Sequence, residues 1–386
     1  MSIAAKYEYF QAIYHRYHSA LRKEKKIILD EFCNNCNYNR KYAIRLLNSP
    51  LETKSITNLS RRGRKKIYDD AILETVLTDI WKATNLPCSK RLKHLIPLWL
   101  PFYKKQKISE QIKQKLLKIS AATIDRIMAS SRSKFSKRGL ATTKPGSIIK
   151  KKIPIKTDQW DEQQPGFLEA DTVAHCGTSM AGMFIHTVNW VDIATQWTEQ
   201  RATWGKGEIG VLNAVGDMES HLPFPLRGFD SDNGSEFLNW HLVRHFLKRK
   251  HPVQFTRSRP YKKNDNAHIE NKNWTHIRQY LGYQRFEDPQ LVEMLNELYT
   301  NEWNLYFNFF NNSFKLIEKK RIKSKIVKKF DPPKTPFQRI IESEFITTET
   351  KQQLQRIKDN LDPFELQKQM ARKIKAIIKK ATNAAA

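Results

Sequence analysis

Between residues 161 and 287 short apolar runs alternate with stretches of helical periodicity. No other feature constrains the chain as much, because such alternation dictates a sheet with helices packed against it. Gly166 to Val173 reads as a strand, and Met183 to Trp190 and Gln196 to Thr203 as a hairpin joined by Val191-Asp192-Ile193-Ala194-Thr195. Glu208 to Ser220 follows as a helix, Leu226 to Asp230 as a strand, Ser235 to Lys250 as a helix, Val253 to Thr256 as a short strand and Asn266 to Leu281 as a helix. The expected product is a mixed five-stranded sheet with flanking helices, an α/β domain over 161–287.

Three carboxylates stand where these elements begin or end: Asp171 in Phe167-Leu168-Glu169-Ala170-Asp171, Asp232 in Asp232-Asn233-Gly234-Ser235-Glu236-Phe237, and Glu270 in Ala267-His268-Ile269-Glu270. Phosphodiester chemistry needs charge neutralised on both the attacking and the leaving oxygen, which two cations about 4 Å apart supply. Carboxylates suit Mg²⁺ or Mn²⁺. The expectation is two such ions held by Asp171, Asp232 and Glu270, with Asp230 as the local competitor of Asp232. Asp-Asn-Gly is also an ordinary turn, and a helical Glu an ordinary surface group. On the helix, Asn273, Trp274 and Ile277 share a face with Glu270, so Asn273 is expected to support its carboxylate while Trp274 and Ile277 pack.

Charge points to the same kind of partner. Among 386 residues, 68 Lys plus Arg against 39 Asp plus Glu give a formal charge of +29, an excess that favours a polyanion such as double-stranded DNA. No apolar run approaches the ~20 residues of a membrane span, and Met1 to Lys6 lacks a signal-peptide core, so the expected location is the cytoplasm, in association with the nucleoid.

Upstream of the sheet the periodicity is helical. Residues 1–56 are expected to form a helix-turn-helix domain broken at Asn34-Asn35-Cys36-Asn37, with Arg40, Lys41 and Arg45 outward on the second helix. A small helical bundle with a basic surface fits the same pattern. Arg61, Arg62, Arg64 and Lys65 surround Gly63 in a run suited either to a minor groove or to a solvated linker. Residues 57–135 are expected to be a second helical DNA-binding domain, 136–160 a basic linker, and 288–386 a basic, mainly helical C-terminal region. Lys262, Lys263, Lys272 and Arg278, with Arg257 and Arg259, are expected to contact phosphates beside Glu270.

With these residues in view, the Asp232-to-Phe237 motif after a strand, followed by Glu270, resembles the catalytic core of retroviral integrases and bacterial integrase-core transposases. The similarity covers about 166–285. More loosely, Tyr38 to Ala43, the Arg-Gly-Arg run, Asn264 to Glu270 and Lys334 to Arg339 are similar to bacterial insertion-sequence transposases. The resemblance implies an RNase H-like fold, metal-dependent cleavage and transfer of DNA strands, and a homo-oligomer that holds two DNA ends. The alternatives are a nuclease of the same fold that does not join strands, and a domesticated DNA-binding protein without activity. Cys33 and Cys36, with His15 and His18 upstream, resemble the integrase zinc site, but their spacing departs from it, and buried helix-end thiols explain them more simply.

Overall fold

The computed structural model describes residues 1–49, 67–68, 70–133, 162–232, 234, 236–258, 267–322 and 325–384. Arg61, Arg62, Arg64, Lys65, the linker over 136–160, Arg259, Lys262 and Lys263 lie outside the described residues. The chain divides into two compact units, Met1–Ile67 and Tyr68–Ala386.

Among its described residues the first unit holds three helices: α1 (Ile3–Ser19), α2 (Arg22–Cys36) and α3 (Arg40–Leu47). Phe10, Ile13, Phe32, Cys36, Ala43 and Leu47 close its core. Asn37 ends α2 in the left-handed conformation (φ 51°) that asparagine tolerates, and Asn39 caps α3 by accepting the Lys41 N–H at 3.0 Å.

In the second unit α4 (Ala71–Ala83), α5 (Ser89–Trp99), α6 (Glu110–Lys118), α7 (Ala121–Ile127) and α8 (Ala129–Ser133) precede the sheet. The sheet contains β1 (Phe167–Ala174), β2 (Ile185–Asp192), β3 (Thr198–Trp204), β4 (Gly228–Ser231) and β5 (Gln254–Arg257) in the order β3-β2-β1-β4-β5. β1, β2 and β3 are joined antiparallel, while β4 and β5 run parallel to β1. This is the mixed sheet expected from the sequence, and with α9 (Glu208–Ser220) and α10 (Trp240–Leu247) it is the RNase H-like arrangement. On its core face Ala170 pairs with Trp190, whose ring meets Phe229 edge-on at 5.3 Å.

The third flanking helix begins as α11 (Ala267–Lys272), widens into a π-helical stretch at Asn273–Arg278 and ends as α12 (Gln279–Leu281). Then α13 (Gln290–Leu298) continues through wide turns over Tyr299–Trp303 and Tyr306–Phe310. This long segment covers the β3 edge. Asn308 accepts the Thr198 N–H at 2.9 Å and donates to the Thr198 carbonyl at 2.8 Å, and Asn296 does the same for Ala202 at 2.7 and 3.1 Å. Side-chain amides thus satisfy the backbone groups that another strand would have taken.

The C-terminal region is mainly helical, with α14 (Pro336–Glu342), α15 (Thr348–Asp359) and α16 (Pro363–Ala384). It also contains an antiparallel hairpin, β6 (Leu316–Ile322) with β7 (Lys325–Phe330), that the sequence reading missed because its cations hide the period-two pattern. The helices before the sheet and those after it share one core. The Trp99 indole donates to the Phe310 carbonyl at 3.1 Å, and its ring packs edge-on against Tyr306 and Phe364.

Candidate active site

Strand register sets the first two acids side by side. Ala170 pairs with Ser231 across the parallel β1–β4 ladder, so the next residue of each chain segment is Asp171 and Asp232. Asp171 lies within β1, which runs on to Ala174, rather than at its end. Its carboxyl is held above the ordinary carboxylate range, first by burial and next by the charge of Asp232. Its Oδ2 accepts the amide of Asn273 at 2.6 Å, and its Oδ1 the N–H of Thr172 at 2.7 Å.

Asn273 is itself oriented by neighbours on the sheet. Asn189 of β2 donates to Asn273 Oδ1 at 2.7 Å, and Gln200 of β3 donates to Asn189 Oδ1 at 2.8 Å. The three amides form one directed chain from the covered edge of the sheet to Asp171, so each orientation fixes the next. Asn273, expected from its helix face to support the carboxylate of Glu270, bonds Asp171.

A further carboxylate, Glu236, joins this pair. It is 4% exposed, pairs with Lys206 Nζ at 2.6 Å and accepts from Thr172 Oγ1 at 2.9 Å. Burial is the largest single influence and pushes its carboxyl up, but the charge and hydrogen bond of Lys206, with a backbone N–H and Thr172, together leave it below the usual range. Gly234 makes the arrangement possible: a Cβ there would stand 2.5 Å from Glu236 Oε2 and 2.9 Å from Asp232 Oδ1. Sequence reasoning passed over Glu236, although it stands four residues from Asp232 in the same motif.

Glu270 is exposed on α11, and it acts electrostatically on Glu169. Glu169 is buried one residue pair before Ala170, beside Asp230 in the ladder, and it accepts the Ile269 N–H at 3.0 Å. Burial foremost, then Asp230 and Glu270, lift its carboxyl to about 8, against the pull of the Ile269 N–H. Glu169 therefore ties the start of α11 to β1. Asp230, the competitor of Asp232, bonds Thr256 of β5 and is buried. Among the described residues no three His, Cys, Asp or Glu side chains converge closely enough to hold a metal ion.

The expected DNA contacts fall in different surroundings. Arg40, Lys41 and Arg45 are exposed on α3, Arg40 paired with Asp30 and Arg45 lying over the Tyr42 ring at 5.3 Å. Lys272 is buried, 4% exposed. Arg278 is half-buried and donates to the Ala174 carbonyl at 2.7 Å, bracing the end of β1. Ile277 is buried as expected, whereas Trp274, expected to pack, is 42% exposed one helical turn from Glu270. Cys36 is buried and His18 meets the Leu47 carbonyl at 2.7 Å.

No family model matches the chain. It is 38% identical over 345 residues to the uncharacterized protein y4rM of Sinorhizobium fredii (strain NBRC 101917 / NGR234), a match over 88% of this chain and 96% of that protein. This chain belongs to the y4rM family. A match of that length extends well beyond the 161–287 segment. Among solved structures, a chain of the simian T-cell lymphotropic virus intasome in complex with PP2A regulatory subunit B56 gamma is similar at a TM-score of 0.28 and 13% identity, over 43% of this chain and 54% of that one. The HTLV-2 integrase catalytic core domain in complex with magnesium is similar at 0.29 and 15%, over 39% and 91%. Scores this low establish no common fold. The RNase H-like assignment rests on the strand order and directions themselves.

Proposed function

We propose that this chain is a DNA transposase that binds the ends of an element, cleaves strands there and joins them to target DNA, as a homo-oligomer. The observation that carries the reading is the juxtaposition of Asp171, within β1, and Asp232, just past β4, where the charge of Asp232 makes Asp171 costlier to ionise. Such a pair fits a hard divalent cation, whose charge removes that cost. Asp171, Asp232 and Glu270 are the proposed holders of two Mg²⁺ or Mn²⁺ ions. Bound there, the ions would neutralise the attacking and leaving oxygens of a phosphodiester. Around them Asn273 orients Asp171, Glu169 anchors the helix of Glu270, and Lys206 keeps Glu236 ionised. Arg40, Lys41 and Arg45 are the proposed contacts of the N-terminal helices with the duplex.

The exposure of Glu270, outside any metal-sized cluster among the described residues, favours a second reading in which the chain binds DNA without joining it. Incubating the purified protein with end-containing DNA and Mn²⁺ separates the two. Joined products support the transposase, nicks alone a nuclease, and retention without cleavage a binding protein. Asp232→Asn is expected to abolish the chemistry and leave DNA binding intact. Cleavage retained in that variant would remove the site assignment.

A further inference from the structure

The helix that carries Glu270 has a second working face. Asn271 and Lys272 point away from the side shared by Glu270 and Asn273, and they line a cleft of about 390 Å³ bounded by Arg91 of α5 and by Phe314, Lys328 and Phe330 around the hairpin. Among the described residues lining it there is no carboxylate. Lys272 is 4% exposed and has no hydrogen-bond or ion-pair partner among the described residues. Arg91 is held only by neutral acceptors, Asn311 Oδ1 at 2.6 Å and Asn312 Oδ1 at 3.1 Å among them. A buried cation such as Lys272 is expensive without a counter-charge, and an arriving anion would remove that cost.

We propose that this cleft binds the phosphate of a nucleotide, with Lys272 and Arg91 supplying the counter-charge and Lys328 standing at its rim. The volume lies within the range of small-molecule sites, about 300 to 1,000 Å³, and exceeds what a bare phosphate needs. Phe314 and Phe330, with ring centroids 6.0 Å apart, give a sugar or base an apolar wall. Asn271 is exposed beside the cleft and offers its amide to the same group. The phosphate comes either from a DNA strand, in which case the inference rests on the function proposed above, or from a free nucleotide, in which case it does not.

The test uses the full chain in EDTA, so that metal-dependent chemistry is silent, with dAMP, a single-stranded oligonucleotide and inorganic phosphate as probes. Lys272→Met is expected to fold with a thermal midpoint no lower than wild type and to bind dAMP and the oligonucleotide about tenfold more weakly, the loss of one charge-assisted contact. Should that variant fail to fold, Lys328→Gln at the exposed rim carries the same expectation. Oligonucleotide binding much tighter than dAMP identifies a strand as the source, and equal binding a free nucleotide. Folded Lys272→Met and Lys328→Gln proteins that bind every probe like wild type overturn the proposal. A chain that binds dAMP through Lys272 but never joins strands in Mn²⁺ loses only the proposed function. One that joins strands while these variants bind unchanged loses only this site.

Discussion

Asn273 Nδ2 lies 2.6 Å from Asp171 Oδ2, and the amide that makes this bond is itself aimed by Asn189 and Gln200. The orientation of one acid is thus set across three strands and a helix. Removing the donor leaves Asp171 free to turn. Asn273→Ala is expected to lower Mg²⁺ affinity or the cleavage rate by about 10- to 100-fold, read from rates against Mg²⁺ concentration. A rate and a metal dependence equal to wild type would mean that the bond has no part in the chemistry.

Gly234 is predicted to tolerate no side chain. The Cβ of Gly234→Ala would sit within 3 Å of two carboxylates, those of Asp232 and Glu236, and displacing them by about 1 Å is expected to slow cleavage by about a hundredfold. The thermal midpoint should move little. A folded Gly234→Ala protein that cleaves at the wild-type rate would show that the loop adjusts without cost.

Stability should fall with rising pH through Glu199. Burial lifts its carboxyl from an ordinary 4.5 to about 8, against the opposing pull of Arg201. Between those values the folded chain keeps a proton that the unfolded chain has released, so this group's contribution declines as pH rises from about 4.5 to about 8. In Glu199→Gln the side chain stays neutral while Arg201 keeps Asp217 as a partner. Urea midpoints at about pH 5 and about pH 8 should therefore differ less in the variant than in wild type. An equal or larger difference would refute the assignment.

Trp99 joins the early helices to the late ones. It is fully buried, with its indole on the Phe310 carbonyl and its ring against Tyr306 and Phe364. Trp99→Ala should cost roughly 3 to 5 kcal/mol, measured by denaturant unfolding. A loss below 1 kcal/mol on that scale would mean that the two sets of helices do not depend on each other.

Local pattern was enough for the sheet. Alternation and helical spacing led to five strands and to α9 with the boundaries Glu208–Ser220, because each element is chosen by its own side chains. The helix expected from Ser235 to Lys250 is shorter, Trp240–Leu247, because Asn239 caps it by accepting the Leu242 N–H at 2.9 Å. The two aspartates were legible for the same reason: each belongs to a motif whose place at a strand can be read without knowing the other.

Surroundings were not legible. Of Lys272 and Arg278, expected as phosphate contacts beside Glu270, one is buried behind the helix and the other braces β1, because the segments that enclose them lie far away in the chain. Glu236 could not be separated from an ordinary helix-start acid until Lys206 and Thr172 were seen to close around it.

The order of residues alone determined which stretches become strands and helices, where the acids fall along them, and the large positive charge. Only tertiary packing decided that Asp171 is aimed by an amide chain, that Asn296 and Asn308 finish the β3 edge, and that Lys272 faces a cleft instead of solvent. The reason is that periodicity reports which face of an element is covered, whereas the partner that covers it, and with it the cost of every charge beneath, comes from chain segments distant in sequence.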